Sequence, residues 1–324
     1  MRLLSVELTR FRSRRAIVLL LLAGVLLTAL MASLTLWETR PVSKADQVAA
    51  QAQADREANQ PWVRKELRRC ENNPERYLGD QATVADCAES VLPRAEWYLY
   101  RETLSLANER RDSGLAVTVL LSGLLIVVGA SFAGADWASG SMSNQLLFEP
   151  RRPRVWLGKA GAVFLGSLAF AALVLAAFWL ALYIAAELRG IPTGATVQAD
   201  IRWRIARGAV LVACGGLGGF ALTMLLRHTV GTLAALFAYV VAGETLIALL
   251  PVDGIWRWSL ANNVFAWLQD GTSVWDESAP CRRGGGVCPQ EVFLSLSHAA
   301  VYLGVLLALV LALSVLSFRR RDIA

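Results

Sequence analysis

The hydrophobic positions of this chain come in long unbroken blocks rather than in alternation. Six blocks stand out, at 16–36, 114–134, 160–186, 208–226, 229–250 and 298–317. Each is close to the roughly 20 apolar residues that carry a helix across a hydrocarbon core about 30 Å thick. A backbone in hydrocarbon must satisfy its own hydrogen bonds, so the blocks predict helices. The third is the longest and predicts tilt or protrusion beyond the bilayer. Between the blocks lie two long polar stretches, 37–113 and 251–297, and two shorter ones, 135–159 and 187–207. The pattern predicts an all-α polytopic membrane protein with six transmembrane helices and a small extracytoplasmic domain in the first long loop.

Charge gives this ladder a direction. Arg2, Arg10, Arg12, Arg14 and Arg15 precede the first block; Arg151, Arg152, Arg154 and Lys159 lie between the second and third; Arg319, Arg320 and Arg321 close the chain. Six crossings put all three groups on one side, and basic residues in short flanks mark the cytoplasm. Both termini are therefore expected inside, in a cell membrane. The same placement accounts for the net charge of +6, so nucleic acid is not an expected partner. One segment runs against the rule. Arg189, Arg202, Arg204 and Arg207 fall in the short loop assigned to the outside, opposed only by Glu187 and Asp200. The first block has the basic flank of a secretion signal, but its 21 residues and the lack of a small-x-small site favour a retained anchor.

The cysteines agree with that orientation. Cys70 and Cys87 lie in the first long loop and Cys281 and Cys288 in the second, both on the oxidising side where disulfides persist. Four cysteines allow three pairings. The short closures Cys70–Cys87 and Cys281–Cys288 are favoured, the second because three glycines sit inside CRRGGGVC. These spacings lack the close pairs of a zinc site, and neither loop holds a histidine. Cys214, inside a block, reads as a small packing residue. In the first loop, 43–59 reads as a solvated helix, and a later part carries Trp62, Trp97, Tyr98 and Tyr100. So short a domain buries a small core, and a disulfide would help it.

Catalytic chemistry is hard to find. There is no phosphate-cradling G-x-x-x-x-G-K-[ST], no H-E-x-x-H and no nucleophile elbow. Neither an ATPase domain nor a metal or cofactor site is legible. The deep acid is Glu244, about 22 Å along the fifth block, in the outer half of the bilayer. It is a candidate for a cavity or gate, or alternatively for a hydrogen bond between helices. At 255–268, IWRWSLANNVFAWL mixes tryptophans with polar breaks and suits an interfacial or re-entrant segment. The N-terminal MRLLSVELTRFRSRR places Leu4, Leu8 and Phe11 along a short amphipathic helix, with Glu7, Arg10 and Arg14 largely elsewhere on the wheel.

The stretch 135–159, ADWASGSMSNQLLFEPRRPRVWLGK, is far longer than a hairpin needs. A helix is predicted over about 138–148, with Met142 and Leu146 one turn apart and a break before Pro150. Orientation explains its arginines. It does not explain the length, or the apolar Met142, Leu146, Leu147 and Phe148; a small helix shown to a soluble partner does.

Asp136, Gly140-Ser141-Met142, Leu146-Leu147, Pro150-Arg151-Arg152, Arg154 and Gly158-Lys159, together with the basic N-terminal helix and the closing FRRRDI, resemble ABC-2 type transporter permeases. That resemblance implies a membrane subunit of an exporter, with ATP and magnesium bound on a separate ATP-binding subunit and a second permease chain completing the pathway. It implies a coupling helix at Asp136, Gly140, Met142, Leu146, Leu147, Phe148, Arg151 and Arg152, and an interface helix using Leu4, Leu8 and Phe11. The chain departs from the pattern in having Asp136-Trp137 where a Glu is frequent, and in its large first loop. A polytopic anchor for a soluble partner, or a gradient-driven transporter relying on Glu244, are the alternatives.

Overall fold

The computed structural model describes the chain apart from residues 1, 80–81, 100–102, 251, 253, 276–290 and 321–324. Its helices run in chain order α1 (Arg2–Ser13), α2 (Arg15–Glu38), α3 (Lys44–Ala58), α4 (Pro61–Asn72), α5 (Pro74–Leu78), α6 (Val84–Val91), α7 (Ser113–Ala138), α8 (Ser141–Phe148), α9 (Arg152–Leu188), α10 (Ala195–Leu226), α11 (Thr229–Ala238), α12 (Glu244–Leu249), α13 (Leu260–Gln269) and α14 (Leu296–Arg320). Among the described residues, six helical stretches are long and apolar enough to cross a membrane: α2, α7, α9, α10, Thr229–Ile247 and α14. They correspond to the six hydrophobic blocks. The all-α expectation needs one correction. Thr272–Trp275 (β1) and Glu291–Leu294 (β2) pair antiparallel, Ser273 opposite Phe293, in a small ribbon beside α13.

The chain forms two units, residues 34–104 and the remainder. The smaller unit is α3 to α6. Ser43 and Asp46 close a capping box at the start of α3, and Thr83 and Asp86 do the same for α6, so each helix begins with its first amides satisfied. The helix read at 43–59 is there, but not solvated all round: Ala50 and Ala54, one turn apart, are buried. Cys70 of α4 and Cys87 of α6 are joined in a disulfide, both fully buried. Tyr98 donates its hydroxyl hydrogen to Glu57 at 2.6 Å. The other anticipated bridge, Cys281–Cys288, lies outside the described residues.

In the larger unit α7 and α10 make the closest helix contact. A methyl on Gly129 would stand 1.9 Å from the Gly216 carbonyl oxygen, and one on Gly219 would stand 2.3 Å from that of Ile126. Only hydrogen fits there, the small-residue packing that holds helices together where no hydrophobic drive separates helix from solvent. α9 lies against both, with Leu175 over Gly208 and Ser167 beside Gly216. α14 and the α11–α12 stretch instead leave most of their leucines and valines outward, the distribution suited to a lipid surroundings.

Three boundaries differ from the sequence reading. α9 starts at Arg152 rather than 160, because Pro153 falls in its first turn, where a missing amide costs nothing. α10 starts at Ala195 rather than 208, so Arg202, Arg204 and Arg207 ride on a helix and not in a loop. At 37 and 32 residues these helices are about 55 and 48 Å long, well over a bilayer core. The third difference is a break in the fifth block at a π-helical turn, Tyr239–Gly243, before α12.

Candidate functional site

The chemistry-bearing side chains collect at the end of the larger unit where α1, the start of α9 and the end of α14 meet. α1 lies along α9. Its Leu4 and Phe11 rest over Gly161 and Gly166, where a methyl would come within 3.2 and 2.8 Å of them. The same face carries Glu7, because positions 4, 7 and 11 follow the i, i+3, i+4 spacing of one helix side. Glu7 is fully buried, as is Phe11; Leu8 is half-buried at its edge. This corrects the wheel drawn from the sequence, which put Glu7 largely away from Leu4, Leu8 and Phe11.

Glu7 meets Lys159 and Asp136 in a buried ion cluster. Lys159 Nζ lies 3.1 Å from Glu7 Oε2 and 2.5 Å from Asp136 Oδ2, and none of the three side chains is more than 1% exposed. Arg14 pairs with the other oxygen of Asp136 and donates to the Phe132 carbonyl at 2.6 Å. Its guanidinium also sits 4.7 Å over the Phe132 ring, with Lys159 at 5.5 Å from the same centroid. Two acids and two bases balance, and an aromatic face lies under both cations. Charges this deep are tolerated only when each has its partners, so the cluster holds as a set.

α8 hangs from this cluster. Gly140 takes a left-handed conformation, φ 66°, which lets the chain turn from α7 into α8 without a Cβ penalty. Ser141 Oγ donates to Asp136 Oδ1 at 2.9 Å and Gln145 Nε2 to Glu7 Oε1 at 2.7 Å. Met142 is buried between those anchors. Leu146 is half-buried, whereas Leu147 is 81% and Phe148 91% exposed. Glu149 then goes extended ahead of Pro150, as the sequence requires. Two of the expected docking contacts are thus corrected. Met142 and Asp136 face the protein's own interior, and the apolar surface α8 offers outward is Leu147 and Phe148. Arg151 is exposed, while Arg152 donates to the carbonyls of Phe318 and Arg319.

At the opposite end, Glu244 finds a structural use. The π turn carries it over the first turn of α13, where Oε1 accepts from the amides of Leu260 and Ala261 at 2.9 and 3.2 Å and Oε2 from Ser259 Oγ at 2.7 Å. Of the two readings open for Glu244, these contacts match the hydrogen bond between helices: its carboxylate caps a helix N-terminus, where a negative charge is favoured. The segment at 255–268 folds as a single 3-10 turn, Ile255–Trp258, followed by α13. Trp267 Nε1 donates to the Arg207 carbonyl at 3.0 Å. Two of the arginines that ran against the orientation rule, Arg204 and Arg207, find acids here: Asp200 pairs with Arg110 and Arg204, and Asp270 with Arg207.

No family model, curated protein or solved structure matches the chain. Fold and site therefore define only a class: six apolar helices of spanning length mark a helical membrane protein, with an ion cluster locking a short helix to one end of it. Among the described residues there is no grouping of three or more His, Cys, Asp or Glu side chains suited to a metal ion. Every carboxylate oxygen of the cluster accepts a hydrogen bond, an arrangement suited to holding shape.

Proposed function

We propose that the protein is the membrane subunit of an ABC-2 type exporter, driven by ATP bound and hydrolysed on a separate subunit. The observation that carries this reading is the two-sidedness of α8. One side is bolted to α1 and α7 through Gln145 and Ser141, with Met142 buried; the other presents Leu147 and Phe148 to the surroundings, 81% and 91% exposed. A rigid apolar knob at the end of a polytopic bundle is a handle for a soluble partner. In this reading ATP closes the partner dimer, the partner moves α8, and the ion cluster passes the displacement to α1 and α9 as a rigid unit. ATP acts only by favouring one membrane conformation over the other. One chain supplies half a pathway, so two permease chains and two ATPase subunits work together. The substrate class that suits the apolar spans is lipophilic or amphipathic.

A gradient-driven transporter draws less support, because Glu244, the acid it would rely on, has both oxygens engaged by α13. An anchor without transport would use the same exposed pair, and flux separates it from an exporter. The test is to purify the chain from its own membrane, look for a co-purifying ATP-binding subunit, and reconstitute both in vesicles. ATP-dependent efflux is expected, with loss of ATPase association in Leu147→Ser/Phe148→Ser while the purified chain stays monodisperse. An intact complex with neither ATPase activity nor ATP-dependent flux would sink the proposal; binding without flux would leave the anchor.

A further inference from the structure

The ion cluster leaves a second group of arginines unused. Arg152 of α9 and Phe318 of α14 are 166 positions apart, yet Arg152 Nη1 donates to the Phe318 and Arg319 carbonyls, each at 3.4 Å. One turn further in, Trp156 Nε1 donates to Ser314 Oγ at 3.1 Å. Phe318 is buried, edge-on to Trp137. The two helix ends are therefore held in register, and their basic residues are gathered at one corner.

Arg151, Arg154, Arg319 and Arg320 are exposed there, and none of the four forms an ion pair among the described residues. Glu149, close by in sequence, pairs with none of them among the described residues. The negative end of α14 offsets part of the charge on Arg319 and Arg320. Nothing similar serves Arg151 and Arg154, which sit at the positive end of α9. Gathering like charges costs free energy unless an anion shares the site.

The surface just inward from the arginines says which anion. Leu157, one turn along α9 from Arg154, is 63% exposed, and Leu316, one turn before Arg320 on α14, is 45% exposed. A free phosphate would use the charge and leave these leucines idle, and so would an acidic peptide. An amphiphile uses both. We infer that the corner between the start of α9 and the end of α14 binds an anionic phospholipid, its phosphate held by Arg151, Arg154, Arg319 and Arg320 and an acyl chain lying on Leu157 and Leu316. This holds whether or not the protein works with an ATPase.

The full chain in mild detergent can be titrated with phosphatidylglycerol, phosphatidylcholine or inorganic phosphate, with bound lipid counted by native mass spectrometry. Phosphatidylglycerol should be retained, phosphatidylcholine should not, and phosphate should fail to displace the lipid. Arg154→Gln/Arg319→Gln should weaken phosphatidylglycerol binding about tenfold or more. Arg12→Gln/Arg15→Gln removes the same charge from exposed positions elsewhere at this end and should change it less than about twofold. Arg154→Lys/Arg319→Lys should keep most of the binding. Equal losses in the two glutamine pairs would reduce the effect to diffuse attraction and overturn the site. So would parity between the two lipids, or displacement by phosphate; both are read on the unmodified chain and do not depend on a variant folding.

Discussion

Replacing Lys159 with Met tests whether the ion cluster holds this end of the molecule together. The lysine stands 3.1 Å from Glu7 and 2.5 Å from Asp136. At an effective dielectric of about 20 those contacts are worth about 5 and 7 kcal/mol of gross attraction. Burying three ions costs several kcal/mol each, so the intact cluster sits near balance. The single variant does not. Methionine fills the lysine's volume, but leaves two carboxylates no more than 1% exposed without their shared cation. Asp136 keeps Arg14 and Ser141; Glu7 keeps Gln145 and the partly exposed Arg10. The expected cost is about 3–5 kcal/mol, the range for breaking one side of a buried pair. Equilibrium unfolding in mixed micelles, followed by tryptophan fluorescence, measures it. Lys159→Met/Glu7→Gln then removes the stranded charge and should recover most of that loss, to within about 1–2 kcal/mol of the unmodified chain. If Lys159→Met costs less than about 1 kcal/mol, or if Glu7→Gln deepens the loss, the cluster is not the clasp described here.

Cys70→Ser/Cys87→Ser opens a closure of 17 residues and should destabilise the 34–104 unit by about 3 kcal/mol, visible as faster proteolysis between α4 and α6. Gly219→Val forces a side chain against the Ile126 carbonyl, 2.3 Å from the nearest atom it adds; since backbone cannot yield cheaply, the expected cost is about 3 kcal/mol or more. Gly304→Ala in α14 meets nothing within 4 Å and should be neutral or stabilising by up to about 1 kcal/mol, so the pair separates close packing from helix propensity in one unfolding assay. The Thr83 amide and hydroxyl hold the Asp86 carboxyl below its ordinary range. A lowered folded value contributes stability above the unfolded pKa and loses it as pH falls through the folded one. Pepsin cleavage within 84–91 should therefore rise with acid in the unmodified chain and change less with pH in Asp86→Asn.

Much of the fold was legible because its governing rule is crude. A bilayer demands blocks of apolar residues of nearly fixed length, and every block became a helix of spanning length. Boundaries were read less well where charge sits on helix. Arg202, Arg204 and Arg207 look like loop residues by hydropathy, yet Arg204 pairs with Asp200, Arg207 pairs with Asp270, and α10 runs straight through all three. The ribbon of β1 and β2 was missed for a different reason. Four-residue strands carry too little pattern to be seen, and these owe their existence to α13 beside them. The π turn likewise leaves no hydropathy signal, since Tyr239–Gly243 stays apolar throughout.

The site shows how the same crude rule misleads about individual charges. Lys159 and Arg14 were counted as orientation signals, because any basic residue beside a span looks like one. Glu7 was placed, with Arg10 and Arg14, largely off the apolar stripe of the N-terminal helix. Yet Glu7 stands alone among the arginines of the first fifteen residues, and three and four positions from it are Leu4 and Phe11. An acid on the apolar side of an amphipathic helix must find a cation or pay for burial, and the basic residues at the heads of spans, Arg14, Arg15 and Lys159 among them, are the candidates. That argument needs only spacing and was available from the chain. What spacing could not supply is the third dimension: that Asp136, 23 positions before Lys159, shares its ammonium, and that Ser141 and Gln145 tie α8 to the same pair of acids. Hydropathy treats all the basic residues of this end alike, and burial is what separates them. Arg151, Arg154, Arg319 and Arg320 face outward; Glu7, Arg14, Asp136 and Lys159 turn inward and fix α8, leaving Leu147 and Phe148 exposed on its other side.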